Sequence, residues 1–251
     1  MNKIALVTGG SRGLGKDEAL QLAKKGFDVV ITYQHNEIEA QNVVKEIQTL
    51  GQKAVALPLD ISSTTNFNGF AAGLQQVLSS VFGAQKIDAL INNAGTGHYS
   101  TYAETTEEDF DQMVNIHLKA PYFLTQQLLP LINDGGVILN TSSGLARFSY
   151  PGSSAYAMMK SGIETLSRYQ AAELGSRQIR VNVIAPGAIA TDFGGGRVRD
   201  NQELNGAIAS RTALGRVGLA DDIGSVAAFL CSDEAKWVNG QRIEVSGGIH
   251  L

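Results

Sequence analysis

A chain of 251 residues in which 43% of side chains are hydrophobic and 18% charged has the composition of a folded globular protein, long enough for one large or two small domains. Its net charge of -4 excludes a basic nucleic-acid footprint, and no apolar run approaches the ~20 residues that span a bilayer, so neither nucleic acid nor membrane is expected as a partner. A lone Cys231 forms no internal disulfide and is expected to pack in a helix, while His35, His98, His117 and His250 show no ligand spacing, so no metal site is expected. With a first strand opening at Lys3 there is no room for a leader, and a cytoplasmic location is expected.

In chain order, short β-branched runs alternate with stretches of helical period. Strands are predicted at 4–7, 29–31, 54–57, 89–91, 137–139, 181–184 and 243–245, and helices between them at 15–25, 37–50, 66–81, 106–131, 155–174 and 221–230. This alternation predicts an α/β chain with a seven-stranded parallel sheet, doubly wound, with helices on both faces. No linker, repeat or composition shift divides it, so a single domain over 1–251 is expected.

Gly9, Gly13 and Gly15 follow the first strand and open the first helix, where a tight turn lets a pyrophosphate approach backbone N–H groups at the helix's positive end. This outlines a dinucleotide site, although the spacing is not G-x-G-x-x-G and glycines also mark turns without chemistry. The second strand ends Thr32-Tyr33-Gln34-His35-Asn36 and meets no acid before Glu37, so nothing there opposes a 2′-phosphate. Arg12 can pair with such a phosphate, which favours NADP(H) and leaves NAD(H) possible; Arg12 is otherwise a solvent-facing turn residue.

The segment 193–216, with Gly194-Gly195-Gly196 and a polar stretch over 197–202, reads as a mobile loop leading into a short helix. It follows the sixth strand, where an open sheet binds ligands, and is expected to be a substrate lid; a solvated surface loop is the other reading.

Tyr156 and Lys160 lie one helical turn apart, with Ser143 thirteen positions upstream. A phenol is a poor proton donor at neutral pH until a nearby cation lowers its pKa, and the lysine is expected to supply that cation. Singly, such a Tyr–Lys pair is usually a surface pair, a serine at a strand end a turn residue, and an asparagine in a helix exposed.

Together with Thr8-Gly9-x-x-x-Gly13-x-Gly15, Asp60, Asn92-Asn93-Ala94-Gly95, Asn115 and Pro186-Gly187-x-x-x-Thr191, these residues resemble the classical short-chain dehydrogenase/reductase family from Lys3 to the end of the chain. The resemblance implies a single-domain Rossmann fold and a catalytic set of Asn115, Ser143, Tyr156 and Lys160. Tyr156 would exchange a proton with the carbonyl oxygen, Lys160 would stabilise the tyrosinate, Ser143 would hydrogen-bond the substrate oxygen, and Asn115 would hold a relay water. It implies cofactor contacts at Gly9, Ser11, Arg12, Gly13, Leu14, Gly15, Asp60, Ile61, Asn92, Ala94, Gly95, Tyr156, Lys160, Pro186, Gly187, Ile189 and Thr191. Asp60 also fits an N-cap for the next helix, and Asn92 a strand-end turn. One departure is Met159, where the family often has serine before the lysine.

The nearest pattern is that of 3-oxoacyl-[acyl-carrier-protein] reductases and glucose-dehydrogenase-like reductases, whose ending Asn239-Gly240-Gln241-x-x-x-Val245-x-Gly247-Gly248 resembles. Such members are usually tetramers, so a homotetramer is expected, with Ile249-His250-Leu251 buried against a neighbour or frayed. Substrate contacts are expected at Thr96, His98, Ser143, Leu145, Phe148, Tyr156 and Phe193, with Gly97, Ala146, Pro151, Gly152 and Ala188 beside them. That mixed, mostly apolar pocket suits a small carbonyl substrate or acyl thioester without separating aromatic ketones from sugars. An enoyl reductase of this fold would space the Tyr and Lys by six residues, and an epimerase would need a larger carboxyl-terminal domain. A non-catalytic dinucleotide-sensing or scaffold protein is the alternative from another class.

Overall fold

The computed structural model describes residues 2–251 and places seven strands in one parallel sheet of order β3-β2-β1-β4-β5-β6-β7. The strands are β1 (Ile4–Val7), β2 (Asp28–Tyr33), β3 (Ala54–Pro58), β4 (Ile87–Asn92), β5 (Ile132–Thr141), β6 (Arg180–Pro186) and β7 (Arg242–Val245). The helices are α1 (Gly13–Lys24), α2 (Glu37–Thr49), α3 (Phe67–Val77), α4 (Glu107–Val114), α5 (Ala120–Leu128), α6 (Ser154–Glu173), α7 (Arg197–Asp200), α8 (Gln202–Ala209) and α9 (Ala220–Cys231).

The period-2 alternation of strand side chains divides the core into two layers. Ala5 and Val7 face α1, α2 and α9, among Leu22, Val43, Ile47, Ile223 and Ala227; Ile4 and Leu6 face α3 and α5, among Phe70, Leu74, Leu124 and Leu128. All are nearly or fully excluded from solvent. Cys231 joins the first layer, packed in α9 as expected, where burial pushes its thiol up to about 12. Strand order reverses between β1 and β4, so their carboxyl ends diverge and open a crevice that later becomes the site.

The expected helix over 106–131 is interrupted. Between α4 and α5 the chain opens into a wide turn of i→i+5 bonds over Asn115–Lys119. Pro121 explains it: the residue has no N–H to offer the His117 carbonyl four positions back, and its ring would clash there in a regular helix. Pro130 likewise ends α5, and β5 begins at Ile132. The expected helix over 66–81 also ends in a wide turn, Leu78–Phe82, closed by Gly83 at φ 67°.

The tail folds back onto its own chain. Ile249 is buried within its own chain, bridged to Thr212, and Arg147 donates to the carbonyls of Ile249 and His250. His250 and Leu251 are exposed.

Candidate active site

At the carboxyl ends of the strands lies a cleft of about 580 Å³ that runs from the glycine turn to α8. Its first half is built on backbone. The Thr8 hydroxyl donates to the Ile91 carbonyl and accepts from the amides of Asn93 and Ala94, while the Asn93 side chain donates to the Thr8 carbonyl at 2.9 Å. A Cβ at position 15 would stand 2.4 Å from the Gly9 carbonyl, so only glycine lets the turn fold onto the start of α1. No acidic side chain occupies the first turn of α1 and none caps it. The result is a cradle of amide donors at a positive helix end, which fits the pyrophosphate of a dinucleotide.

Gly9, Ser11, Arg12, Gly13, Leu14, Gly15, Asp60, Ile61, Ala94, Gly95, Pro186, Gly187, Ile189 and Thr191 all line this cleft. Asn92 does not. Its side chain turns away and donates to Asn140 at 2.8 Å and Thr125 at 3.0 Å, tying β4 to β5 and α5; Asn93 lines the cleft in its place. Asp60 is no helix cap either: it accepts from the Ser62 amide and the Gln34 side chain, and Ser63 caps the following turn. Glu39, which a reading confined to the strand end passed over, lines the cleft together with Arg12, Tyr33 and His35.

The second half is built on side chains. Tyr156 and Lys160 face one way from α6, as their i, i+4 spacing dictates, and the lysine nitrogen stands 5.5 Å from the centre of the tyrosine ring. Lys160 is 5% exposed and donates to the Thr141 carbonyl at 2.8 Å; burial brings it down to about 8. The expectation that this cation lowers the phenol is not met. Enclosure raises Tyr156 above the usual phenol range, the Tyr99 phenol adds to the rise, and the Ser143 hydroxyl opposes it. Tyr156 therefore stays protonated at neutral pH.

Ser143 begins the short turn Gly144–Ala146 and accepts from the Leu145 amide, whereas Ser142 points inward to Glu164 at 2.7 Å. An ion-pair ladder unseen in the sequence steadies this loop. Glu164 pairs with Arg242, Arg242 with Glu244 and Glu244 with Arg147, and Arg242 also donates to the Ser143 carbonyl. The Arg147 guanidinium holds Glu244 down to about 2.

Two expected side chains are not brought to the cleft. Asn115 opens the wide turn and does not line it; His117, two residues on, does. The backbone irregularity that Pro121 imposes resets which residue the turn presents inward. His117 is 2% exposed, its Nε2 lies 2.8 Å from the Thr96 carbonyl, and its ring meets Tyr156 edge-on at 5.1 Å. Burial first, then the Lys160 cation, lowers it to about 3, so it is neutral and donates through Nε2. His98 likewise turns from the cleft toward Asp109, and Tyr99 takes the lining position.

Replacing His117 with alanine removes the support of the Tyr156 ring. A kcat lowered roughly 10–100-fold with little change in KM for NADPH is expected, as for a misplaced catalytic group; an unchanged kcat would deny His117 this part.

Thr96, Ser143, Leu145, Phe148, Tyr156 and Phe193 line the substrate half with Ala188, Tyr150 and Ile249. The segment over 193–216 folds across it as a short turn (Phe193–Gly196), α7 and α8, and the run Gly194-Gly195-Gly196 adopts left-handed backbone throughout, with φ between 61° and 76°. Phe193 packs 5.9 Å from Tyr156.

A helix-flanked parallel sheet with a glycine-turn cradle beside a Tyr–Lys pair defines a dinucleotide-dependent oxidoreductase class, and comparison with known proteins agrees. A family model described as Enoyl-(Acyl carrier protein) reductase matches residues 9–250. Hydroxynaphthalene reductase-like protein Arp2 of Metarhizium brunneum is 38% identical over 257 residues, covering 98% of this chain and 94% of that protein. The solved structure of LugOII, a promiscuous reductase that catalyses keto-reduction at C1 in lugdunomycin biosynthesis, has a TM-score of 0.93 at 36% identity, covering 98% of this chain and 96% of its own. The landomycin C-6 ketoreductase LanV, solved with bound NADP and rabelomycin, has a TM-score of 0.89 at 34% identity, covering 98% and 95%. The chain belongs to the classical short-chain dehydrogenase/reductase family. It is an NAD(P)-dependent oxidoreductase.

Proposed function

We propose that the protein is an NADP-preferring ketoreductase that moves hydride between a nicotinamide and the carbonyl carbon of a conjugated or aromatic ketone. The observation that carries this reading is the convergence of Tyr156, Ser143 and Lys160 on one wall of a cleft whose other end is the amide cradle. When bound, the nicotinamide supplies the hydride. Tyr156, held as a phenol, donates its proton to the carbonyl oxygen, and Ser143 hydrogen-bonds that oxygen as charge develops. Lys160, titrating near neutrality, stabilises the tyrosinate left behind. The three-residue Tyr–Lys interval supports carbonyl over enoyl reduction. Phe148, Tyr150, Phe193 and Tyr99 make the substrate half apolar and aromatic, in keeping with a relative named as hydroxynaphthalene reductase-like and with the landomycin C-6 ketoreductase solved with rabelomycin. Oxidation of NADPH by a panel of aromatic ketones, β-keto esters and 3-oxoacyl thioesters tests the reading, and failure with every member would sink it.

Cofactor choice rests on Arg12, whose side chain is 64% exposed at the cleft rim, and on Tyr33 standing where a carboxylate would oppose a 2′-phosphate. The expected result is a lower KM for NADPH than for NADH, eroded in Arg12→Ala by roughly the 1.5–3 kcal/mol of a charge-assisted hydrogen bond. Tyr33→Asp should reverse the preference. A wild-type preference for NADH would contradict the proposal and direct attention to Glu39.

We read the segment over 193–216 as a lid that excludes water during hydride transfer. Hydrogen exchange there should slow when cofactor and ketone are both bound; equal protection with and without them would count against a lid. A homotetramer in the cytoplasm completes the proposal. Tyr122 and Phe123 on α5 and Met158 and Tyr169 on α6 are exposed apolar side chains suited to a subunit contact, and light scattering would test it.

A further inference from the structure

The segment that roofs the substrate half carries four arginines, Arg197, Arg199, Arg211 and Arg216, and they divide into two kinds. Arg199 is committed to Asp192 and Asp200, and Arg216 to Asp222. Neither lines the cleft. Arg197 and Arg211 do line it, and among the described residues no carboxylate pairs with either. The carboxylates of the same cleft are engaged or remote: Asp192 is taken by Arg199 and Arg12, while Glu39 and Asp60 lie beyond β2 and β3. In a chain of net charge -4, two unspent guanidinium groups over an apolar pocket are a local excess that calls for an anion.

Both arginines share the cleft with the reacting centre. The Arg197 guanidinium carbon stands over the Tyr99 ring, 4.6 Å from its centre, a cation–π contact that fixes the group while its N–H donors have no carboxylate partner among the described residues. Tyr99 packs beside Gly194, next to Phe193, whose ring stands 5.9 Å from Tyr156, so Arg197 lies on the Tyr156 side of the cleft. Arg211 lines the same cleft, beside the loop that carries Ser143. Its carbonyl accepts from the His250 amide, and the His250 ring packs 4.6 Å from Phe148, the side chain that covers Gly144 next to Ser143. A ketone whose carbonyl meets Tyr156 and Ser143 would extend its far end toward the arginines.

We propose that Arg197 and Arg211 form an oxyanion subsite, and that the preferred substrate is an apolar ketone bearing a carboxylate or phosphate remote from the carbonyl. This deepens the ketoreductase reading and rests on it. Nothing in it requires the oxyanion to react; it anchors, and its gain lies in binding.

The test pairs α-tetralone with a carboxylated tetralone, and an acetoacetyl-pantetheine thioester with its phosphopantetheine counterpart, in NADPH-dependent assays. The anionic member of at least one pair should have kcat/KM about tenfold higher, with the advantage shrinking as salt rises. The pair that shows it identifies carboxylate or phosphate as the source. In R197Q/R211Q the advantage should disappear through KM, while R216Q should keep it. Equal kcat/KM within both pairs in wild type, or an advantage that survives R197Q/R211Q, would overturn the subsite. If none of the four consumes NADPH, the ketoreductase reading fails instead; titration calorimetry of carboxylated tetralone against the NADPH complex then decides the subsite, binding weakened about tenfold in R197Q/R211Q supporting it and unchanged binding overturning it.

Discussion

Tyr156→Phe is expected to abolish ketone reduction while leaving NADPH binding close to wild type. The substitution keeps the ring that packs against His117 and Phe193 and deletes only the hydroxyl that carries the transferable proton. General acid catalysis supplies about 10²–10⁴-fold, so more than about a tenth of the wild-type kcat remaining would remove Tyr156 from the part. Lys160→Ala should differ in kind. The ammonium is assigned both to the tyrosinate and to cofactor contact, so KM for NADPH should rise as kcat falls; an unchanged NADPH affinity would contradict that double assignment. The pH profile separates the two groups. Lys160 is a cation below about 8 and neutral above it, so reductive kcat/KM should hold through neutrality and fall as pH passes about 8. Tyr156 is raised and keeps its proton throughout that range.

The strands were legible because each alternates or runs apolar between turn residues, and all seven predicted runs lie inside observed strands. The site was legible only in part, and the failures have local causes. Sequence order gives Asn115 and Asn92 no feature that marks them as facing elsewhere. The first is displaced because Pro121 forbids the regular bond to residue 117 and opens a wide turn; the second is claimed by Asn140 and Thr125 from neighbouring elements. Pro121 was the available signal for His117, since a proline one residue into a helix predicts irregularity on the turn before it. No such signal exists for the ladder Glu164–Arg242–Glu244–Arg147, whose members are up to 97 positions apart and meet only once β7 closes the sheet.

Glu18→Leu is expected to stabilise the protein, and more at alkaline pH than at acid pH. Gly15, Glu18, Ala19 and Leu22 form the buried stripe of α1 against α9, so a carboxyl group occupies a position that helical period reserves for an apolar side chain. Neither of its oxygens has a hydrogen-bond partner, and the side chain is fully buried. Burial, with Asp17 adding, pushes Glu18 up to about 8 from an ordinary 4.5. The folded state therefore keeps a proton that the unfolded chain releases. The contribution of Glu18 to stability is whole below pH 4.5, is lost as pH rises toward 8, and is constant beyond, a total loss on the order of 5 kcal/mol. Asp17, also raised by burial, tilts the curve the same way. Leucine nearly matches glutamate in volume and titrates nowhere, so Glu18→Leu should raise Tm by roughly 5–10 °C at pH 8.5 and by much less at pH 5. Glu18→Gln should flatten the pH dependence without the full gain, because its amide is buried without partners. Thermal melts across pH 5 to 9 read both effects, and parallel curves for wild type and Glu18→Leu would mean that the buried carboxyl finds a charge partner after all.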